Sequence, residues 1–175
     1  MSDQVKKEVF SWVKSVAIAF IFALLIRQFL FTPVTVSGQS MDPTFENNQR
    51  VVISKLNSIH HSDIIVFQSP ISDEYFIKRV IGLPGDYVVM KDDHLFVNGV
   101  EQEEPYTREN KDKLFEGMRL TENFEVHVPD EHYFVLGDNR HNSRDSRELG
   151  AIEKDAVVGK VSFRIYPFNQ VGIPK

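Results

Sequence analysis

The run SVAIAFIFALLI at 15–26 is uncharged, and the wider apolar window at 9–31 admits only Lys14 and Arg27 among the charged residues. Few environments accept such a stretch. A helix over 12–31 would span roughly 30 Å at about 1.5 Å per residue, which matches the hydrocarbon core of a bilayer, so one crossing is physically adequate. Lys6, Lys7 and Lys14 precede it, which favours a cytoplasmic N-terminus and an exported remainder, although Arg27 at the other end opposes that orientation. A cleaved leader would also begin basic and then apolar, but the residues after Ile26, RQFLFTP, contain no small-x-small cleavage pattern. A buried or interfacial helix is the other possibility, because the uncharged stretch alone is short for a span.

Beyond Pro33 the apolar pattern changes period. Short β-branched and aromatic runs bounded by Gly, Pro, Asn and Asp predict strands at 50–53, 63–68, 75–81, 87–90, 94–97, 124–128, 132–136 and 157–166. The expected fold class is therefore mainly β: an N-terminal transmembrane helix with its cytoplasmic lead at 1–32, then one compact, mostly antiparallel β domain at 33–175. Asp92-Asp93 and Asn98-Gly99 supply two tight turns. The charged stretch at 102–122 is expected to be a small exposed insertion without a motif. In the β domain 16 basic residues face 23 acidic ones, an unpromising balance for a nucleic-acid partner. The 175 residues include no cysteine, which removes disulfides, thiolate nucleophiles and Cys-based metal sites.

Three segments carry residues capable of chemistry. SGQSMDPT at 37–44 places two serines in a turn just after the apolar run, and a serine hydroxyl needs an adjacent base, commonly His and sometimes Lys. None of the six histidines lies in a pattern specific for a triad, and there is no GxSxG elbow. Neither His60, His61 and Asp63 nor Asp138, His141 and Asp145 has a spacing that singles out a metal site. In YFIKRVIGLPGD at 75–86, strand alternation puts Lys78 on the face of Phe76 and Val80. An ammonium there must be paired, must reach solvent from an edge strand, or must lose its proton and become a general base. LGDNRHNSRDSRELG at 136–150 interleaves Asp138, Asn139, Asn142, Ser143, Asp145 and Ser146 with three arginines. Such a loop is either a self-tied charged turn or the support for an uncharged lysine.

These three segments, in this order behind an apolar N-terminus and with HSDIIVF at 61–67 between the first two, resemble the bacterial type I signal peptidases, or leader peptidases. The resemblance runs from the apolar segment to about Pro167 and is weakest across 102–131. The single apparent span and compact insertion are more similar to the Gram-positive branch. The resemblance implies a membrane-bound, extracytoplasmic serine endopeptidase that removes N-terminal signal peptides from exported preproteins. A serine–lysine dyad would form an acyl-enzyme intermediate, with no cofactor and no metal.

Residue by residue, Ser-Met-x-Pro-Thr falls on 40–44 and makes Ser40 the nucleophile, and Lys-Arg-Val-Ile-Gly falls on 78–82 and makes Lys78 the base. Ser143 takes the place of a serine that orients the lysine, and Asp145 and Arg147 take supporting positions. Asp138, Asn139 and Arg140 are expected as scaffold. Gly38 is a departure, because Gram-negative members carry there a serine that contributes to the oxyanion hole. Backbone N–H groups, that of Ser40 above all, are expected to take over, and Ser37 inherits no role.

Val36, Met41, Phe45 and Ile77 are candidate walls of two shallow pockets for small side chains of the preprotein, with ordinary core packing as their other reading. The remaining partner is membrane lipid. Two rival functions are a self-processing Ser–Lys peptidase, which in repressor-type proteins comes with a DNA-binding domain, and an inactive membrane-tethered binding module.

Overall fold

A computed structural model of the chain describes residues 3–29, 31–55 and 58–174. The chain divides into two compact units, Met1–Thr32 and Pro33–Lys175. The first is built on one helix, α1, Asp3–Phe29. Its described side chains from Val9 to Phe22 are all exposed, Phe10, Trp12, Val16, Phe20 and Phe22 by 63 % or more. Among the described residues no helix is long and apolar enough to cross a membrane, and Leu30 of the expected span lies outside them. Charged Lys6, Lys7, Glu8 and Lys14 occupy the first half of α1, so its apolar stretch is shorter than the helix.

The β strands follow as β1 (Phe31–Thr35), β2 (Arg50–Ser54), β3 (Ile64–Gln68), β4 (Tyr75–Gly82), β5 (Tyr87–Lys91), β6 (His94–Val97) and β7 (Val100–Gln102). A short helix, α2 (Arg108–Asp112), precedes β8 (Phe124–His127) and β9 (His132–Leu136). One helical turn, α3 (Ser146–Leu149), then leads to β10 (Ile152–Glu153) and β11 (Val157–Tyr166). One sheet has the order β1-β2-β11-β3-β4-β9-β10, the other β7-β6-β5-β8. The registered pairs in both sheets are antiparallel.

All eight expected strands are present, with ends that move by a residue or two. The unforeseen ones, β1, β7 and β10, are edge or two-residue strands. Pro33 lies within β1, and an edge tolerates its missing N–H. β7 is exposed along its whole length and shows no alternation to read.

The central strands explain why period two fades where it matters most. β3 reads buried at Ile64, Ile65, Val66 and Phe67, and β4 is buried from Ile77 to Gly82. Both have neighbours on either side and packed layers on either face. One cluster holds Val36, Met41, Phe45, Val51, Ile53, Ile64, Val66, Ile77 and Val161. A second joins β3, β4 and β9 through Ile65, Phe67, Val80 and Val135, and a third seats the hairpin sheet on Ile81, Phe134 and Leu136. The hairpins turn where expected: Asp92, Asp93, Asn98 and Gly99 all have positive φ, as mirror-image two-residue turns require.

Candidate active site

β4 sits between β3 and β9, so a lysine in it has no edge from which to reach water. Lys78 pairs across from Ile65 and is only 3 % exposed. Its Nζ donates to the Ile77 carbonyl at 2.9 Å and lies 2.8 Å from Ser40 Oγ, with the Phe76 ring centroid 5.2 Å away. No carboxylate forms an ion pair with it among the described residues. Burial pulls its pKa from the ordinary 10.5 down to about 8, against the raising influence of Asp145 and Asp138. At neutral pH about a tenth of such an amine is unprotonated, and that fraction can accept a proton from a bonded hydroxyl.

Ser40 stands in the turn after β1. Val36 bonds across this turn, its N–H to Gln49 O at 2.8 Å and its carbonyl to Asn48 N–H at 2.9 Å. Gly38 has φ +86°, a left-handed conformation that a side chain would strain, and its N–H is taken by Asn47 Oδ1 at 3.0 Å. The loop after β9 is tied to the same turn. Asn139 N–H donates to Ser40 O and its Nδ2 to Gln39 O, both at 3.1 Å.

That tie needs a glycine at 137. A methyl group there would fall 2.5 Å from Ser40 O and 2.2 Å from Ser143 Oγ. Ser143 thus packs beside the Ser40 backbone, but among the described residues its buried hydroxyl has no hydrogen-bond partner and makes no bond to Lys78.

Asp145 and Arg147 form a unit behind the site. The Asp145 carboxylate is fully buried, accepts the Gly137 N–H at 3.0 Å and receives Arg147 Nε and Nη2 at 2.8 Å each. Arg147 Nη2 also reaches Arg140 O at 2.8 Å. The scaffold expected at 138–140 is more heavily engaged than its sequence suggests. Asp138 accepts Arg79 Nε at 2.9 Å and Nη2 at 2.7 Å, and Arg79 also donates to Ser62 O and to Thr44 Oγ1. Arg140 donates to Gly137 O, to Thr121 Oγ1 and to Glu104.

Arg79, Glu104, Thr121 and Tyr106, whose ring lies 3.9 Å from the Arg79 guanidinium carbon, were not singled out from sequence. Arg79 follows Lys78 directly, and a second basic residue in so apolar a strand is a signal that it has a buried acid to meet. The stretch at 102–122 is therefore no free insertion. Many of its residues are exposed, but Glu104, Thr107, Leu120 and Thr121 are inserted against the site's scaffold, because buried Arg140 requires a counter-charge that its own loop does not supply.

A cleft of about 240 Å³ opens beside Ser40 and Lys78, walled by Val34, Val36, Val66 and Ile77, with Ser37 and Tyr75 among its lining. Of the four expected wall residues, Val36 and Ile77 line it. Met41 and Phe45 do not: they are 1 % and 0 % exposed in the core cluster beneath, and Phe45 carries the Arg164 guanidinium at 4.9 Å from its ring.

A family model described as signal peptidase, peptidase S26, matches residues 9–166. Signal peptidase IB of Staphylococcus aureus (strain COL) is 41 % identical over 94 % of this chain and 93 % of its own, and signal peptidase I of Bacillus licheniformis is 44 % identical over 97 % and 95 %. The crystal structure of a signal peptidase I from Enterococcus faecalis V583 superposes with a TM-score of 0.60 at 36 % identity, covering 62 % of this chain and all of that one. With the fold, the order of its motifs and near-full-length relatives in agreement, this chain belongs to the signal peptidases of peptidase family S26.

Proposed function

We propose that this protein is a serine endopeptidase that removes N-terminal signal peptides from exported preproteins, with Ser40 as nucleophile and Lys78 as its base. The observation that carries the reading is the 2.8 Å contact between Lys78 Nζ and Ser40 Oγ in a site where the amine has no carboxylate partner. The neutral amine takes the Ser40 proton as Oγ attacks the peptide carbonyl. The leaving amine takes a proton from the lysinium, and the Ser40 ester is hydrolysed by water that Lys78 activates in turn. With the Gly38 N–H occupied by Asn47, the N–H of Ser40 is the donor assigned to the developing oxyanion. The preprotein lies along the cleft edge, its small side chains against Val36 and Ile77. Asp145 and Arg147 hold the loop that backs Ser40, and Ser143 fills the space between that loop and the Ser40 backbone.

The apolar side chains that α1 exposes from Val9 to Phe22 support its assignment as a membrane anchor, with its charged first turns outside the apolar stretch. The N-terminus is assigned to the cytoplasm, the β domain to the other side, and the site is thereby confined to the membrane that holds its substrates.

The test is cleavage of a preprotein by detergent-solubilised protein, with Ser40→Ala and Lys78→Ala in parallel. Both variants are expected to leave the preprotein intact. Cleavage by either at the parent rate would end the assignment of these two residues.

A further inference from the structure

The stretch between β7 and β8 carries one side chain that touches both loops of the site. Asn110, on α2, spends its two amide hydrogens on two backbone carbonyls: Nδ2 lies 2.9 Å from Asp42 O and 3.1 Å from Asp138 O. Asp42 stands two residues after Ser40, and Asp138 holds Arg79, the neighbour of Lys78. We propose that Asn110 is a positioning residue of the reaction, cross-linking the Ser40 loop to the Asp138 loop and so keeping the Ser40 hydroxyl at the Lys78 amine. The inference rests on the Ser40–Lys78 reading above.

Asn110 is half-buried on a helix of five residues, yet its position is defined. Lys111 Nζ donates to Asp93 O at 2.9 Å, the Asp93 carboxylate accepts the N–H groups of Leu120 and Thr121, and Glu104 is locked to Arg140. Both ends of the stretch are thereby fastened to the β5–β6 turn and to the loop behind Ser40.

The two loops are also joined at Gln39 and at Ser40 itself, where Asn139 Nδ2 bonds Gln39 O and its N–H bonds Ser40 O. The nucleophile is therefore held by one clamp at Gln39 and Ser40 and another at Asp42. The second clamp has no backbone substitute, because a carbonyl oxygen meets no donor in another carbonyl. Two such oxygens drawn within reach of a single amide nitrogen repel each other once that nitrogen is removed, and the loops part at Asp42 while the Asn139 bonds to Gln39 and Ser40 stay in place. Parting has two consequences. The Ser40–Lys78 contact lengthens, and water reaches an amine whose depressed pKa depends on its burial. The charged groups that act on Lys78 are Asp145 and Asp138, both retained in their arginine pairs, so hydration is what changes.

The full chain in detergent, with Asn110→Leu, which keeps the branched shape without donors, and Asn110→Ala, tests this. The measurements are kcat, KM and the pH profile of preprotein cleavage from about pH 6 to about pH 10. The expected result is a kcat lowered about tenfold or more, a KM within about twofold, and an acid limb moved upward by about half a pH unit or more. An unchanged kcat and limb would overturn the proposal. So would a lower melting temperature with an unmoved limb, or failure of both variants to fold, since either makes Asn110 a stability element only. Ser40→Ala and Lys78→Ala run alongside. Should they retain cleavage, it is the Ser–Lys reading that falls; should they be silent while the Asn110 variants match the parent, only the positioning role falls.

Discussion

Lys78 and Arg79 are consecutive on β4 and each is 3 % exposed, yet their surroundings treat positive charge in opposite ways. Arg79 meets Asp138 through two parallel N–H donors, with a backbone carbonyl and a hydroxyl taking the rest of its fork. Lys78 meets one hydroxyl, one backbone carbonyl and an aromatic ring. A buried guanidinium paired in this fashion is a fastening, whereas a buried ammonium without a carboxylate is held close to losing its proton. The contrast shows how one strand can serve as scaffold and as chemistry in adjacent positions. It also shows why the two cations are not interchangeable: Arg does not deprotonate in the accessible range, and Lys has no planar fork.

Exchanging them tests the contrast most severely. Lys78→Arg places a permanently charged group at Ser40, and preprotein cleavage is expected to fall by about a thousandfold or more while the circular dichroism spectrum is kept. Substantial cleavage by this variant would mean that residue 78 is not needed as a proton acceptor. Arg79→Lys gives up the two-point grip on Asp138 and leaves that buried carboxylate underpaired. A stability loss of about 2–4 kcal/mol in urea unfolding is expected, with a smaller effect on cleavage than Lys78→Arg.

The pH profile sharpens the comparison in a milder way. Because Lys78 titrates near 8 instead of 10.5, kcat is expected to rise roughly tenfold per pH unit up to about pH 8 and then level off. Stability has the matching sign. The folded state gives up this proton before the unfolded chain does, so Lys78 costs stability below about pH 8, and the cost is lifted as pH rises from about 8 to 10.5. A cleavage rate flat from pH 5 to about pH 9 in folded protein would remove the neutral-lysine mechanism.

The smallest effect is expected at Gly38. A Cβ there meets no atom within 4 Å, so the left-handed backbone is the resistance to a side chain, at about 1 kcal/mol. Gly38→Ser should alter kcat by less than about threefold if the Ser40 N–H supplies the oxyanion contact, whereas a rise of tenfold would show that a hydroxyl serves better at that position.

Much of this could be read before the fold was seen. Strand positions were legible because alternation, β-branched residues and turn pairs act within a few residues of one another, as at Asp92-Asp93 and Asn98-Gly99. Edge strands β1 and β7 were not, since Phe31–Thr35 follows directly on an apolar run and Val100–Gln102 is exposed on both faces. Val36 and Ile77 could not be told from Met41 and Phe45 by residue type, as all four are buried in one apolar cluster and differ only in whether the cleft opens beside them. The stretch at 102–122 looked like surface because its charges are dense. Glu104 and Asn110 find their partners in loops 28 to 68 residues away, and no local pattern announces that.

The sequence by itself determined the β class of the domain, the apolar N-terminal segment, and the three chemistry-bearing segments whose order matches the family. Those follow from short-range sterics, hydrophobic period and residue type. Only the tertiary structure decided that Lys78 and Ser40, 38 residues apart, share a hydrogen bond, while Arg79 finds Asp138 across 59 residues. Sheet order and loop closure set such distances, and with them the burial that separates a lysine ready to lose its proton from an arginine that holds the fold.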